Sequence, residues 1–254
     1  MKYIKLFNQD SEYNTYKAGE NYITPNVSYC KKENHVHFEK YYDPANGHEY
    51  VDLVLPSGTL WAKCNVGASS ETDYGLYFAW GDTQGYTSSQ VGTNKDFAWA
   101  DYKYGTYDSS DTTDYGMTKY NGTDGKTTLD LEDDAAHVNM GGEWKMPTST
   151  QINELLNTTY VEHANVTNYN GSGVNGMLFT SVANNAATLF VPFAGGASEG
   201  GVGGVGNDGG VWSSSLGSSG VGGAFSLYVS GMPTADLSYD DRCYGFSVRG
   251  VLEN

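Results

Sequence analysis

Phe225-Ser226-Leu227-Tyr228-Val229-Ser230 alternates apolar and polar side chains, and Cys243-Tyr244-Gly245-Phe246-Ser247-Val248-Arg249 repeats the pattern. A period of two is the mark of a strand with one buried face. It predicts Phe225, Leu227, Val229, Phe246 and Val248 on a core and Ser226, Tyr228 and Ser230 turned outward. The surroundings are unusual, since residues 195–250 hold 16 glycines and ten serines. Pure Gly/Ser sequence is a flexible tether, but Trp212 and the apolar residues just named interrupt it as anchors. A rigid scaffold that displays small and tyrosine-bearing residues follows.

Just upstream, Gly201-Val202-Gly203-Gly204-Val205-Gly206 satisfies the spacing of a dinucleotide fingerprint. That spacing carries weight only between a strand and a helix, whereas Asn207-Asp208-Gly209-Gly210 leads here into strand-like Val211-Trp212-Ser213. No helix dipole is expected to meet a pyrophosphate. Helix signals are confined to two places. Leu131-Glu132-Asp133-Asp134-Ala135-Ala136-His137-Val138 puts carboxylates in a first turn, where the dipole favours them. Thr148 reads as an N-cap with Gln151 completing a capping box, and Ile152, Leu155 and Leu156 then share a face. Further towards the N-terminus, Val51-Asp52-Leu53-Val54-Leu55, the turn Pro56-Ser57-Gly58 and Thr59-Leu60-Trp61-Ala62 read as a hairpin. Tyr77-Phe78-Ala79-Trp80-Gly81-Asp82 reads as another strand. Residues 84–128 form a long decorated loop whose Phe97, Trp99, Tyr102 and Tyr104 need something to pack on.

The chain has 254 residues, with 30 Asp+Glu against 14 Lys+Arg and a net charge of −16. This excludes a nucleic-acid surface, which draws on clustered Lys and Arg. Cys30, Cys64 and Cys243 are an odd, widely spaced set, so neither a disulfide framework nor a zinc knuckle is indicated. Met1-Lys2-Tyr3-Ile4-Lys5-Leu6-Phe7 opens like a signal peptide but meets Asn8, Gln9 and Asp10 before an apolar run develops, and no window approaches a membrane span. Residues 1–48 are too sparse to form a core and read as a docking segment, with residues 49–254 as the main domain.

Asp52-Leu53-Val54-Leu55-Pro56-Ser57-Gly58-Thr59-Leu60-Trp61-Ala62, Tyr77-Phe78-Ala79-Trp80-Gly81-Asp82, Asp133-Asp134-Ala135-Ala136-His137, Gly142-Glu143-Trp144-Lys145-Met146-Pro147-Thr148, Trp212-Ser213-Ser214-Ser215-Leu216 and Gly245-Phe246-Ser247-Val248-Arg249 occur in that order. Their succession resembles the Fibrobacter succinogenes major paralogous domain, of the C-type-lectin-like group related to formylglycine-generating enzymes. The resemblance covers residues 50–252. It implies an α+β fold of short antiparallel strands, two helices and long loops, with C-terminal strands and loops forming a binding face. The group includes variable proteins of diversity-generating retroelements, in which template adenines are randomised. An AAC codon then cannot yield Lys, Glu, Gln, Met or Trp, and from Ser213 to Gly250 only Met232 is such a residue. Ile23-Thr24-Pro25-Asn26-Val27-Ser28-Tyr29-Cys30 resembles N-terminal segments of proteins from phages and prophages of gut Bacteroides.

The group's oxidases need a pair of reactive cysteines near the C-terminal core, and Cys243 stands alone, so no enzyme is expected. No Ser-His-Asp or Cys-His order suggests a nucleophile. His35 and His37 share a strand face but lack a third ligand. Asp130, Glu132, Asp133 and Asp134 could hold Ca²⁺, though a helix N-terminus accounts for them. No other cofactor is indicated.

Binding remains. A face of Tyr, Ser, Gly and Asp resembles a paratope, in which Tyr gives area at low entropy cost and Ser and Gly adapt. The candidate contact residues are Gly203, Gly204, Val211, Gly217, Gly222, Gly223, Ser226, Tyr228, Thr234, Asp236, Tyr239, Asp240, Asp241, Cys243 and Tyr244. The resulting expectation is a variable receptor-binding protein of a phage tail. Residues 1–48 would dock it to phage structural proteins, and its C-terminal face would meet a host-surface protein or glycan. Presentation as a homo-oligomer on a virion would add avidity. The alternative is a fixed-specificity adhesin of the cell surface or a pilus tip.

Overall fold

The computed structural model describes residues 45–217, 221–232 and 234–253, with Thr234 as backbone only, and the backbone of four short strands among the first 44 residues. Those four are β1 (Lys5–Phe7) paired with β2 (Tyr13–Thr15), and β3 (Asn26–Cys30) paired with β4 (His35–Glu39). Their side chains, including those of His35 and His37, lie outside the described residues.

The expected hairpin is present with a shorter first strand, because the ladder stops at Asp52 and Val54 at φ +58° breaks the extended run 51–55. β5 (Tyr50–Asp52) pairs antiparallel with β6 (Leu60–Ala62), and the Gly58 N–H closes the turn onto the Leu55 carbonyl at 2.9 Å. The other edge of β6 takes β15 (Val251–Leu252), with Val251 opposite Trp61 and Leu252 opposite Leu60. The body also starts earlier than residue 49. Ala45 is buried, the Trp144 Nε1–H donates to its carbonyl at 2.7 Å, and Asn46 Nδ2 donates to the Met140 carbonyl at 2.8 Å. Residues 45–48 therefore belong to the domain.

Residues 77–82 are a second correction. Tyr77, Phe78, Ala79 and Trp80 are buried, but they pair only through single bridges, Tyr77 with Tyr86 and Phe78 with Phe246. Gly81 at φ +77° turns the chain away before a ladder can extend. The long loop does pack as its aromatics demanded, with Phe97, Tyr102 and Tyr104 buried.

The first helix begins later than its carboxylates suggested. Leu131–Asp133 is a 3₁₀ turn, and α1 (Ala135–Met140) starts after Asp134, whose Oδ1 accepts from the His137 N–H at 2.9 Å. α2 (Ser149–Leu155) follows the sequence closely. Thr148 Oγ1 accepts from the Gln151 N–H while Gln151 Oε1 accepts from the Thr148 N–H, and Ile152 and Leu155 are fully buried.

Two three-stranded antiparallel sheets carry the C-terminal half. One has the order β7 (Val161–Val166), β8 (Gly176–Ser181), β9 (Thr188–Pro192), and the other β12 (Asp208–Leu216), β13 (Gly223–Ser230), β14 (Thr234–Asp241). Between them lies a small hairpin of β10 (Gly196–Ser198) and β11 (Gly201–Gly203). The β12–β14 sheet is sandwiched. On one face Val211, Leu227, Val229 and Ala235 join Ile152 and Leu155 of α2 and Met177 and Phe179 of β8. On the other, Trp212 and Ala224 join a second core with Phe78, Trp80 and Tyr120. Ser226 was expected outside, but it sits opposite Trp212 and is fully buried. Ser230, expected outside as well, is also buried, so of the polar face of β13 only Tyr228 is exposed. The result is a mixed α+β domain, mostly small antiparallel sheets with two α-helices among the described residues.

Candidate ligand-binding face

Around Tyr228 that polar face opens on a cavity of about 230 Å³. Its walls are 195–198 of the β10 region, 208–210 of β12, Tyr228 of β13, Asp240 of β14, and Tyr244 and Phe246 from the segment beyond. Phe246 lies flat because two glycines let it. A Cβ on Gly196 would stand 2.6 Å from Phe246 Cε1, and one on Gly210 would stand 2.7 Å from Cδ2, inside van der Waals contact. Behind Phe246 the Trp212 ring lies 4.7 Å away, centre to centre, and Trp212 Nε1–H is fixed by the Phe78 carbonyl at 2.8 Å. A partly exposed aromatic ring is thus held by a buried one, which fixes its pose.

The polar groups are also held. Asp240 Oδ2 accepts from Ser226 Oγ at 2.7 Å, which accounts for burial of that serine. Burial pushes the Asp208 carboxyl above its ordinary value. Burial, reinforced by Asp208, likewise raises the Tyr228 hydroxyl, so this phenol stays protonated. The Asp241 carboxyl is raised by burial, against a hydrogen bond with Tyr244.

Of the residues named from sequence, Tyr228, Asp240 and Tyr244 meet in the cavity. Asp236 is exposed opposite Tyr228 on the same face, and the side chain of Thr234 lies outside the described residues. Gly203 ends the neighbouring hairpin opposite the cavity-lining Gly196, and Gly204 follows it on the way into β12. Tyr239 and Asp241 fall on the other face of β14, an alternation that the list of candidates ignored. Tyr239 meets Phe225 edge-on at 6.3 Å and lies across Gly217 and Gly223, where added Cβ atoms would come within 1.8 and 2.2 Å of its ring. Phe225 itself is only partly buried at this sheet end.

Five candidates are corrected by burial. Val211 lies in the core, Gly222 and Gly223 are covered, Ser226 serves Asp240, and Cys243 is 1% exposed with its thiol pushed up to about 12 by burial. None of these presents a side chain to a ligand. Asp208 and Phe246 were missed. Phe246 was assigned to the core by its period, and the only cue to its exposure is the pair of glycines at 196 and 210 that clears space for a flat ring.

The acidic run has a different fate. Oxygens of Asp130, Glu132 and Asp133 lie within 4.8 Å of one another, but the Lys119 ammonium sits among them at 2.8, 3.2 and 2.5 Å. Lys103 adds 2.9 Å to Asp133, and Lys126 adds 2.5 Å to Asp130. Asp134 turns away to the N–H groups of His137 and Met146. The fingerprint-like 201–206 runs from β11 through a turn into β12, with no helix. Cys64 and Cys243 are both free thiols.

Among the described residues no helix is long and apolar enough to cross a membrane. Comparison with protein-family models, curated proteins and solved structures finds no match for this chain.

Proposed function

We propose that this protein is a non-enzymatic, variable receptor-binding protein. The β12–β14 face and the β10–β11 hairpin recognise a host-surface molecule, and the first 44 or so residues dock it to phage structural proteins. One observation carries the reading: Tyr228, Asp240 and Tyr244, singled out as contact residues, line one cavity above a packed scaffold in which Leu227, Val229 and Val248 are buried. The finer fold we assign is C-type-lectin-like. The short antiparallel sheets, the two helices and the open C-terminal face support it.

The test is a protein and glycan array probed with the full chain and with Tyr228→Ala/Tyr244→Ala. Binding that disappears in the double variant, with an unchanged thermal midpoint, is the expected result. Signals indifferent to both tyrosines reject this face. The diversification part is read from sibling genomes. Adenine-linked codon changes should cluster at exposed or partly exposed positions such as 203, 228, 236 and 244, and their absence removes it.

A further inference from the structure

The charge around the cavity is one-sided. After Lys145 the sequence contains eight Asp+Glu and only two cationic side chains of the Lys/Arg type, Arg242 and Arg249. Both arginines are fully buried. Arg242 spends its N–H groups on Tyr102 and on the carbonyls of Lys119, Tyr120 and Val221, and Arg249 spends Nε and Nη1 on Asn65 and the carbonyls of Lys63 and Phe190. Neither can reach out to the surface. Elsewhere the protein neutralises its own acids, as Lys119, Lys103 and Lys126 do at 130–133. In the cavity it does not. Asp240 has only the Ser226 hydroxyl, and Asp208 has neither an ion pair nor a side-chain hydrogen bond among the described residues.

The remaining walls suit a cation. Tyr228, Tyr244 and Phe246 present rings to the same 230 Å³ space, and an aromatic face attracts a positive charge through its quadrupole, more strongly when desolvated. Carboxylates on rigid strands together with aromatic rings bind an ammonium or guanidinium group by charge, hydrogen bond and ring face at once. A neutral sugar would leave Asp208 without a counter-charge, and an anion would meet only repulsion.

We infer that the cavity between β12, β13 and the β10–β11 hairpin takes a basic side chain, Lys or Arg, projecting from a protein partner. This rests on the binding face proposed above and names what it selects. The cation enters over Phe246 and pairs with Asp208, while Asp240, farther along the same face beyond Tyr228, adds its charge to the wall. Electrostatic steering from the net charge of −16 speeds its approach and fades with salt.

The test uses the full chain in calorimetric titration with three blocked pentapeptides, Gly-Lys-Gly-Lys-Gly, its Arg counterpart and its Gln counterpart, and separately with calcium chloride. Lys or Arg peptide should bind at least about tenfold more tightly than the Gln peptide, and Asp208→Asn/Asp240→Asn should erase that difference. Glu162→Gln, an exposed acid on β7, should leave it within about twofold. Equal binding of all three peptides, no binding at all, a difference that survives the double Asn variant, or a response to calcium alone each overturns the inference. Where Tyr228→Ala/Tyr244→Ala abolishes an array signal that Asp208→Asn/Asp240→Asn leaves intact, the binding face stands and its cationic ligand falls.

Discussion

The guanidinium carbon of Arg242 lies 4.8 Å from the centre of the Trp80 ring, inside a cage completed by Tyr102, Tyr104 and Tyr120 at 5.3, 5.9 and 5.9 Å. Its planar fork serves three carbonyls and a phenol that belong to the long loop and to the turn before β13. Arg242→Met leaves those carbonyls buried and unpaired and should lower unfolding free energy by about 3 kcal/mol or more. Arg242→Lys should lose nearly as much, because a point charge cannot replace the fork. Urea unfolding checks both, and a Lys variant of wild-type stability would show the cage to be ornamental.

The β10–β11 hairpin separates a glycine that is required from one that is not. Gly195 has φ +71°, and a Cβ there would stand 2.1 Å from the Gly203 carbonyl oxygen; at Gly203 nothing lies within 4 Å. Gly195→Ala should cost about 3 kcal/mol, whereas Gly203→Ala should change stability by about 0.5 kcal/mol or less. Gly203→Tyr should fold normally and alter the binding profile on the array. Thermal melts of the three variants decide the matter.

Binding should depend on pH in a definite sense. Burial raises the Asp208 carboxyl above its ordinary 3.8, so it takes up a proton at a pH where an exposed aspartate is still charged. Peptide affinity should therefore fall on acidification with a midpoint above 3.8, and Asp208→Asn should abolish that limb. The same shift means that ionised Asp208 opposes folding. Its folded pKa lies above the unfolded one, so the stability it contributes is present below the unfolded value and lost as pH rises through the folded one. Asp208→Asn should leave stability equal or higher at neutral pH.

Asp133 works the other way. Burial disfavours its charge, but hydrogen bonds from Lys119, Tyr104, Tyr120 and Lys103 outweigh it and hold the carboxyl well below the usual range. A depressed folded pKa gives stability that is present above the unfolded value and lost as pH falls through the folded one. Asp133→Asn should cost about 3 kcal/mol at pH 7 and flatten the acid limb of the stability curve.

Because the Lys119 ammonium occupies the centre of that acidic cluster, chelator or calcium should leave the wild-type melting temperature within about 1 °C. Lys119→Met removes the one cation shared by all three carboxylates, leaving Lys103 on Asp133 and Lys126 on Asp130, and should make the melt calcium-dependent. A calcium response in the wild type would show that the lysine yields to the metal.

Local signals were legible. The capping box of α2 formed as read, and the hairpin about Pro56-Ser57-Gly58 formed with a shorter first strand than its five-residue apolar run suggested. The inward set Leu227, Val229 and Val248 followed from a period of two. What the sequence hid is what covers what. Ser226 and Tyr228 are equivalent by period, yet Ser226 lies opposite Trp212 under a second core, while Tyr228 lies opposite Gly210 and remains open. Only the long-range register decides between them. The role of Asp208 was hidden for the same reason, since its neighbours Tyr228 and Asp240 arrive from strands that follow much later in the chain.

β6 is flanked by β5, its immediate predecessor, and by β15, whose Val251 and Leu252 pair with Trp61 and Leu60. Trp61 therefore cannot find its second partner until residues 62–251 have been made. Completion of this domain is a late, non-local event that bears on its folding rate more than on its final stability.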